Sequence, residues 1–206
     1  MNAKRMRDPE ATRASLLIAA EEVFLEKGFG NTSISDISGR AGITKSLIHH
    51  YFGSKEGIWQ AVKQRRFNYY SDRQLKMLEN SELTLGLLRE SFILYFHFLK
   101  SNPEIVRILA WMFLERDQDD CVHKDRELVE KGIERIKSGQ KMGQIRSDID
   151  PKFILFTFIG MCQHWFQDKE HFILDFCGGE KNIPEDLDEL YLDAIQKIFF
   201  EGISPK

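Results

Sequence analysis

Five residues with hydrogen-bonding side chains lie in one short stretch of the chain: Thr44, Lys45, Ser46, His49 and His50. An ammonium group, hydroxyls and imidazoles can bind phosphate oxygens and the polar edges of nucleic-acid bases. Residues three and four positions apart share a face of an α-helix, so Lys45, Ser46 and His49 would project together. The stretch therefore predicts a helix with a polar, cation-bearing face suited to a polyanion.

The sequence around this stretch has the features of a helix-turn-helix. Ser33 is a good N-cap for a first helix whose third residue is Asp36, and Thr44 is a good N-cap for a second helix beginning at Lys45. Gly42 lies between the two helices and supplies the turn. Because a helix-turn-helix inserts its second helix into the major groove, double-stranded DNA is the expected partner.

Apolar residues separate the buried side of the second helix from its reading side. Leu47, Ile48 and Tyr51 form an inward stripe, which leaves the polar residues facing outward. The predicted DNA-binding residues are Ser33, Thr44, Lys45, Ser46, His49, His50, Tyr51 and Lys55. An alternative stays open for each kind of residue: the hydroxyl residues cap helices, the lysines are solvated surface charges, and Tyr51 is a core aromatic.

With these residues in view, the segment from Thr12 to Lys55 resembles the N-terminal domain of TetR-family transcriptional regulators. The matching residues are Thr12-Arg13, Ala19-Ala20, Phe24, Glu26-Lys27-Gly28-Phe29, Thr32-Ser33-Ile34, Asp36-Ile37, Ala41-Gly42-Ile43-Thr44-Lys45, Leu47-Ile48, His50-Tyr51-Phe52 and Ser54-Lys55-Glu56. The resemblance implies a DNA-binding regulator with a helical C-terminal domain.

Two residues depart from the family pattern. His49 stands where the family usually has a tyrosine that touches the DNA backbone, and Ser46 stands where glycine is frequent. A histidine can donate to a phosphate as a neutral ring, or more strongly when it is protonated. Both possibilities stay open, and the second would make DNA binding depend on pH.

Charge is distributed unevenly along the chain, although the net charge of the whole is only −3. Residues 1–76 carry 13 Lys and Arg against 8 Asp and Glu, a net of +5, and residues 77–206 carry 16 against 24, a net of −8. This asymmetry puts the positive field on the helix-turn-helix. Lys4, Arg5 and Arg7 form an N-terminal arm that is either a solvated tail or a further DNA contact.

Hydrophobic periodicity predicts an all-α protein. The family resemblance implies two domains: an N-terminal three-helix DNA-binding domain and a C-terminal helical ligand-binding and dimerisation domain. The first helix is expected to begin at Pro9, capped by Asp8, and to end at Gly28. The predicted domains are residues 1–53 and 54–206, with 54–78 as a connecting helix. Further helices are expected at about 83–100, 104–116, 122–139, 151–168 and 185–201.

Several protein classes are disfavoured by the composition. Three cysteines without CxxC spacing, Cys121, Cys162 and Cys177, argue against a disulfide framework or a zinc site and favour a reducing cytoplasm. We expect no cofactor, no metal and no contact with a membrane. The chain contains no P-loop, GxGxxG, HExxH or G-x-S-x-G motif, so we expect no enzyme activity.

The last predicted helix and the one before it have more apolar surface than one helix pair buries. The predicted homodimer interface contains Phe158, Leu187, Leu190, Tyr191, Ala194, Ile195 and Ile198. The alternative is that both helices only complete the core of one chain. A two-fold dimer would read two half-sites of a palindromic operator, and the family resemblance implies the same four-helix interface.

Aromatic residues are abundant in the C-terminal half, where the family resemblance implies a pocket for a small molecule. The predicted ligand-binding residues are Phe92, Phe96, Trp111 and Trp165, for a hydrophobic or aromatic effector that relieves repression. His97 and His164 are either buried core histidines or polar anchors for such a ligand. The alternative is a constitutive or protein-controlled regulator without an effector.

Overall fold

The computed structural model describes four stretches of the chain: residues 8–79, 85–115, 123–176 and 183–204. Within them every regular element is an α-helix, which confirms the predicted all-α class. The predicted cationic arm and two of the cysteines lie outside the described residues: Lys4, Arg5, Arg7, Cys121 and Cys177.

The described stretches contain nine helices. They are α1 (Pro9–Lys27), α2 (Ile34–Ala41), α3 (Lys45–Phe52), α4 (Lys55–Glu79), α5 (Leu85–Ser101), α6 (Pro103–Leu114), α7 (His123–Lys141), α8 (Pro151–Phe176) and α9 (Leu187–Ile203).

The chain divides into two compact units. The first consists of Met1–Phe67 with Ile108–Val122, and the second consists of Asn68–Arg107 with His123–Lys206. Helices α4 and α6 therefore each contribute residues to both units. The first compact unit is larger than the predicted 1–53 domain, and the predicted division after residue 53 stays a prediction.

Local capping groups explain where the helices begin. The Asp8 side chain accepts a hydrogen bond from the backbone N–H of Glu10 at 2.9 Å, and Pro9 occupies the first turn of α1, as predicted. Gly28, with a φ of 75°, follows the last residue of α1. In the same way, Asp150 accepts from the backbone N–H of Lys152 at the start of α8.

Helix α8 is longer than the sequence pattern predicts. It continues to Phe176 instead of ending near residue 168. Residues 169–176 contain neither glycine nor proline, so nothing in their local chemistry stops the helix. The polar residues in this stretch therefore indicate a solvated face of α8 and not its end.

The core of the first unit holds α3 in place. Ile48 is fully buried, as is Ile37 of α2, and the rings of Phe24 and Trp59 pack edge to face at 4.9 Å. This burial fixes which side of α3 faces inward, because α3 has no freedom to roll without exposing Ile48. The opposite side of α3 is then presented to solvent.

The second unit has an aromatic core. Phe92 is fully buried and contacts the rings of Phe158 and Phe199 at 4.8 and 5.5 Å. The buried polar side chains in the described part of this unit are Ser71 and Gln74, and both are uncharged. No helix in the described stretches is both long and apolar enough to cross a membrane.

Candidate nucleic-acid interface

Helix α3 presents the polar face that its sequence predicts. Thr44, Lys45, Ser46, His49 and His50 are all exposed. Thr44 is the N-cap residue and the other four belong to an eight-residue helix, which the buried Ile48 anchors on its other side. One exposed surface thus carries a cation, two hydroxyls and two imidazoles, which is the chemistry that phosphate and base edges require.

A complete capping box begins helix α2, which supports α3. The Ser33 hydroxyl accepts from the backbone N–H of Asp36 at 3.2 Å, and the Asp36 carboxylate accepts from the backbone N–H of Ser33 at 2.9 Å. The Ser33 hydroxyl also donates to Asp36 at 2.6 Å. Ser33, which was predicted to bind DNA, therefore has its side chain engaged within α2.

The turn between α2 and α3 is fixed by a left-handed glycine and a side-chain hydrogen bond. Gly42 has φ 62° and ψ 31°, a conformation that costs other residues strain. The Ser38 hydroxyl donates to the carbonyl of Ile43 at 2.6 Å. Both features are local, so the angle at which α3 leaves the turn is set by neighbouring residues.

Ion pairs join α2 to α1. Lys27 donates to Asp36 at 2.7 Å, and Arg40 contacts Glu26 at 2.7 Å and Glu22 at 3.1 Å. The hydrogen bond from Lys27, followed by those from Ser33, holds the pKa of Asp36 well below its usual range. Glu22 and Glu26 of α1 thus pair with Arg40 of α2 and tie the two helices together.

Thr44 occupies the predicted N-cap position of α3, but its side chain makes no capping hydrogen bond. Its hydroxyl lies 3.0 Å from the hydroxyl of Ser46 instead. This corrects the expectation that Thr44 caps α3 through its side chain. The physical reason is that Ser46 offers an equally near partner, so the two hydroxyls pair with each other on the exposed end of the helix.

His49 is tied to the end of its own helix. Its Nδ1 atom lies 2.9 Å from the carbonyl oxygen of Gly53, whose own N–H donates to the carbonyl of His49 at 2.9 Å. A carbonyl oxygen only accepts, so Nδ1 must carry the proton. Gly53 has a φ of 74°, a positive value that favours glycine at this position.

Tyr51 and His50 differ in burial although they are adjacent. Tyr51 is half-buried, and the His50 ring packs edge to face against it at 5.2 Å. The structure thus places Tyr51 between the core and the surface, where its aromatic ring supports His50.

The ammonium of Lys55 is bonded within the protein. It donates to the carbonyl oxygens of Phe29 at 2.9 Å and Gly30 at 3.4 Å, and the predicted phosphate contact of Lys55 at the start of α4 stays a prediction. It also lies 4.2 Å from the centre of the Phe29 ring. Lys55 therefore satisfies carbonyl groups of the turn that follows α1, a tertiary contact that its sequence position alone did not reveal.

The same turn is held by residues that lie far from it in the sequence. The backbone N–H of Gly30 donates to both carboxylate oxygens of Glu115 at 2.8 Å. A Cβ placed on Gly28 would lie 2.7 Å from the Trp111 ring. Trp111 thus belongs to the first compact unit and packs against this turn, and its predicted role in ligand binding stays a prediction.

Comparison with family models decides the identity of the chain. The model described as bacterial regulatory proteins of the tetR family matches residues 16–62, and the model described as a tetracyclin repressor-like C-terminal domain matches residues 94–180. Together they cover more than half of the chain. The chain belongs to the TetR family.

Relatives and solved structures agree with this assignment. The TetR-family chain is 24% identical over 206 residues to the HTH-type transcriptional regulator RutR of Escherichia coli, covering 98% of this chain and 95% of that protein. Its fold matches FadR of Bacillus subtilis in complex with stearoyl-CoA (TM-score 0.68, 17% identity, 93% of this chain and 99% of that one). It also matches AibR in complex with isovaleryl coenzyme A and operator DNA (TM-score 0.65, 17% identity, 92% and 97%). The protein is therefore a helix-turn-helix transcriptional regulator.

In the second unit of the TetR-family regulator, two of the predicted ligand-binding residues lie deep in the core. Phe92 and Phe96 are fully buried, and Phe96 packs against the rings of Phe166 and Tyr191. They contact aromatic side chains of their own unit, because the large apolar residues of an amphipathic helix lie on the side that packs against the core. They are core residues in this structure, and their role in ligand binding stays a prediction.

Trp165 lies beside a surface groove of about 230 Å³. Its ring stacks on Tyr191 at 4.0 Å, and its indole N–H donates to Asp188 at 2.9 Å. His164 also lines this groove and is 71% exposed, while His97 is 44% exposed. The alternative that these two histidines are buried core residues is therefore wrong, since each projects from the polar side of its helix.

The predicted dimer-interface residues divide into two groups. Phe158 and Ile195 are buried in the second unit's own core, and Leu187 and Tyr191 are partly buried. Leu190, Ala194 and Ile198 are exposed. Phe158 and Ile195 are thus core residues of their own chain. Apolar residues spaced three and four apart include those on the side of the helix that faces the chain's own core.

Proposed function

We propose that this TetR-family regulator is a homodimeric repressor that binds a palindromic operator and is released from it by a small hydrophobic or aromatic molecule. The observation that carries the proposal is the exposed face of α3, where Lys45, Ser46 and His49 project from a helix anchored by Ile48. Helix α3 is the reading helix of the proposed complex. Since its partner is DNA, we propose the cytoplasm as its compartment.

Several residues of α3 and its N-cap have a proposed role in the complex. Lys45 lies in the first turn, from which a side chain best reaches base edges, and binds guanine or phosphate. Thr44, Ser46 and His50 offer hydrogen bonds to phosphate oxygens. The hydroxyl of the half-buried Tyr51 reaches the DNA backbone from the edge of the protein core. Ser33 and Lys55 hold the supporting helices in position.

An exposed apolar surface on α8 and α9 supports the proposed homodimer. Phe153 and Phe156 of α8 are 67% and 74% exposed, and Leu190 and Ile198 of α9 are 50% and 62% exposed. Phe153 and Ile198 line the same groove of about 190 Å³. Four large apolar side chains on two neighbouring helices are costly to leave in water, and a second copy of the chain would cover them.

The chemistry of the second unit supports an effector whose buried part is hydrophobic. Its described buried polar side chains, Ser71 and Gln74, are neutral, and Gln74 is already bonded to Tyr70 and Ser91. The solved structures that match this fold include complexes with stearoyl-CoA and isovaleryl coenzyme A, whose acyl groups are apolar. We therefore propose an acyl or aromatic compound that binds among the aromatic residues of this unit.

The proposed release follows from linkage between the two binding events. A two-fold dimer binds successive major grooves only if its reading helices are about 34–36 Å apart. A ligand that prefers another separation must weaken DNA binding, and DNA must weaken ligand binding by the same factor. Helix α4, which contributes to both units, is the proposed connection.

A thermal-shift screen tests the effector proposal. The purified protein would be melted with a panel of acyl-CoA thioesters, fatty acids and small aromatic compounds. A compound at 100 times its Kd should stabilise the native state by about 2.7 kcal/mol, and the same compound should release labelled DNA. No stabilisation across the panel would favour a constitutive or protein-controlled regulator instead.

A further inference from the structure

The hydrogen bond of His49 determines what its free nitrogen can do. His49 is exposed on the reading face of α3, one helical turn after Lys45. Its Nδ1–H donates to the Gly53 carbonyl at 2.9 Å, so Nε2 is the nitrogen left for DNA. In a neutral imidazole only one nitrogen carries a proton, and Nε2 is then a lone-pair acceptor.

An acceptor cannot bond to every group on DNA. Phosphate oxygens are acceptors, and guanine presents the acceptors O6 and N7 in the major groove, so a neutral Nε2 has no hydrogen bond with either. The donors in that groove are the amino groups of cytosine, at N4, and of adenine, at N6. Because Nδ1 is held by the Gly53 carbonyl, Nε2 of the neutral ring faces these amino groups as an acceptor, and no carboxylate among the described residues pairs with His49.

We propose that His49 is a specificity-determining residue, whose Nε2 accepts a hydrogen bond from the amino group of a cytosine or an adenine in the major groove. The inference rests on the proposed function, because it requires α3 to lie in that groove. It also changes the role that the family resemblance implies for this position, which is a backbone contact. The positive φ of Gly53 and the hydrogen bond from Nδ1 are the features that favour a base contact over a contact with the DNA backbone.

The test removes single amino groups from DNA. Duplexes that the purified protein selects from a random-sequence pool would be resynthesised with purine in place of each adenine, or 2-pyrimidinone in place of each cytosine. These analogues lack only the exocyclic amino group. For the wild-type protein, one such replacement per half-site should weaken binding by about 5-fold to 100-fold.

Two variants complete a double-mutant cycle with the modified DNA. His49→Phe should bind the natural and the modified duplex equally at that position, because it has no acceptor. His49→Gln should keep part of the discrimination, since its amide oxygen accepts from an amino group. Circular-dichroism melts of both variants would show that the helix-turn-helix remains folded.

Two results would overturn the inference while leaving the proposed function intact. One is an amino-group effect in His49→Phe as large as in the wild type at every position. The other is that His49→Phe loses affinity evenly for all sequences and has a salt slope reduced by about 1, which marks a phosphate contact. If the random pool yields no preferred sequence, the proposed function itself fails, and the inference fails with it.

Discussion

At the scale of single residues, exposure and hydrogen bonding separate reading residues from supporting residues. Lys45 and His49 have the same polar character as Ser33 and Lys55 in the sequence, and all four were predicted to bind DNA. The structure shows Ser33 in a capping box and Lys55 on the carbonyls of Phe29 and Gly30. The side chain of a capping residue is bonded to its own helix, whereas Lys45 is exposed and forms no ion pair with a carboxylate among the described residues.

The first prediction concerns Lys45. Lys45→Ala should lower operator affinity by about 1–3 kcal/mol and relax the preference at one base pair, if the ammonium binds guanine. An even loss across all sequences with a reduced salt slope would mean a phosphate contact. Fluorescence anisotropy on natural and single-base-changed duplexes measures both quantities, and unchanged binding in both would remove Lys45 from the interface. Lys76→Ala, in α4, is the matched control.

The second prediction concerns Gly28. Gly28→Ala should destabilise the protein more than Gly42→Ala, although both glycines have a positive φ. A Cβ at Gly28 would lie 2.7 Å from Trp111, whereas nothing lies within 4 Å of one at Gly42. Gly42→Ala should therefore cost only conformational strain of about 1 kcal/mol.

Urea unfolding of both variants measures this difference, and a Trp111→Ala background tests its cause. Removing the ring should recover part of the extra loss in Gly28→Ala, since Glu115 Oε1 would still lie 2.9 Å from the added Cβ, and should change Gly42→Ala little. Equal losses in the two glycine variants would show that the Trp111 ring moves aside without cost.

At the scale of helices, the starts were predictable because the groups that cap a helix lie within a few residues. Asp8 with Pro9 and Ser33 with Asp36 are examples. The end of α8 was not predictable, because a polar stretch without glycine or proline does not stop a helix. The three-and-four spacing of apolar residues in α9 also could not show that Ile195 is buried whereas Ile198 is exposed.

The third prediction is an acid dependence of the capping box in α2. The pKa of Asp36 is lowered by Lys27 and Ser33, so its contribution to stability is present above the unfolded pKa of about 3.9 and is lost as the pH falls further. Asp36→Asn should be less stable near neutral pH but lose less stability than the wild type on acidification. Thermal melts at several pH values below about 5 test this. Parallel acid losses in the two proteins would exclude Asp36 as the source.

The fourth prediction concerns the exposed side of α9. Leu190→Glu combined with Ile198→Glu should give a folded monomer, because both side chains are exposed and charges there oppose a second copy. Analytical ultracentrifugation measures the mass in solution. Val129→Glu, at an exposed apolar residue of α7, is the matched control and should remain a dimer. A dimer that survives both substitutions would place the interface elsewhere.

At the scale of the whole molecule, the charge distribution and the family membership both favour the N-terminal part of the chain as the DNA-binding part. The basic first 76 residues contain the helix-turn-helix, and the acidic remainder has the aromatic core in which we propose the effector binds. The DNA-binding half was predictable because its motif is contiguous in sequence. The effector site was not, because Phe92 and Phe96 are core residues and Trp111 belongs to the first unit.

The most direct test is the binding of the purified protein to a labelled duplex selected from random DNA, measured by fluorescence anisotropy at several salt concentrations. Sequence-specific recognition by α3 predicts affinity at least about 10³-fold tighter than for a scrambled duplex. It also predicts an even number of chains per duplex, and affinity that falls steeply as salt rises. Equal affinity for the selected and the scrambled duplex would contradict sequence-specific recognition by α3.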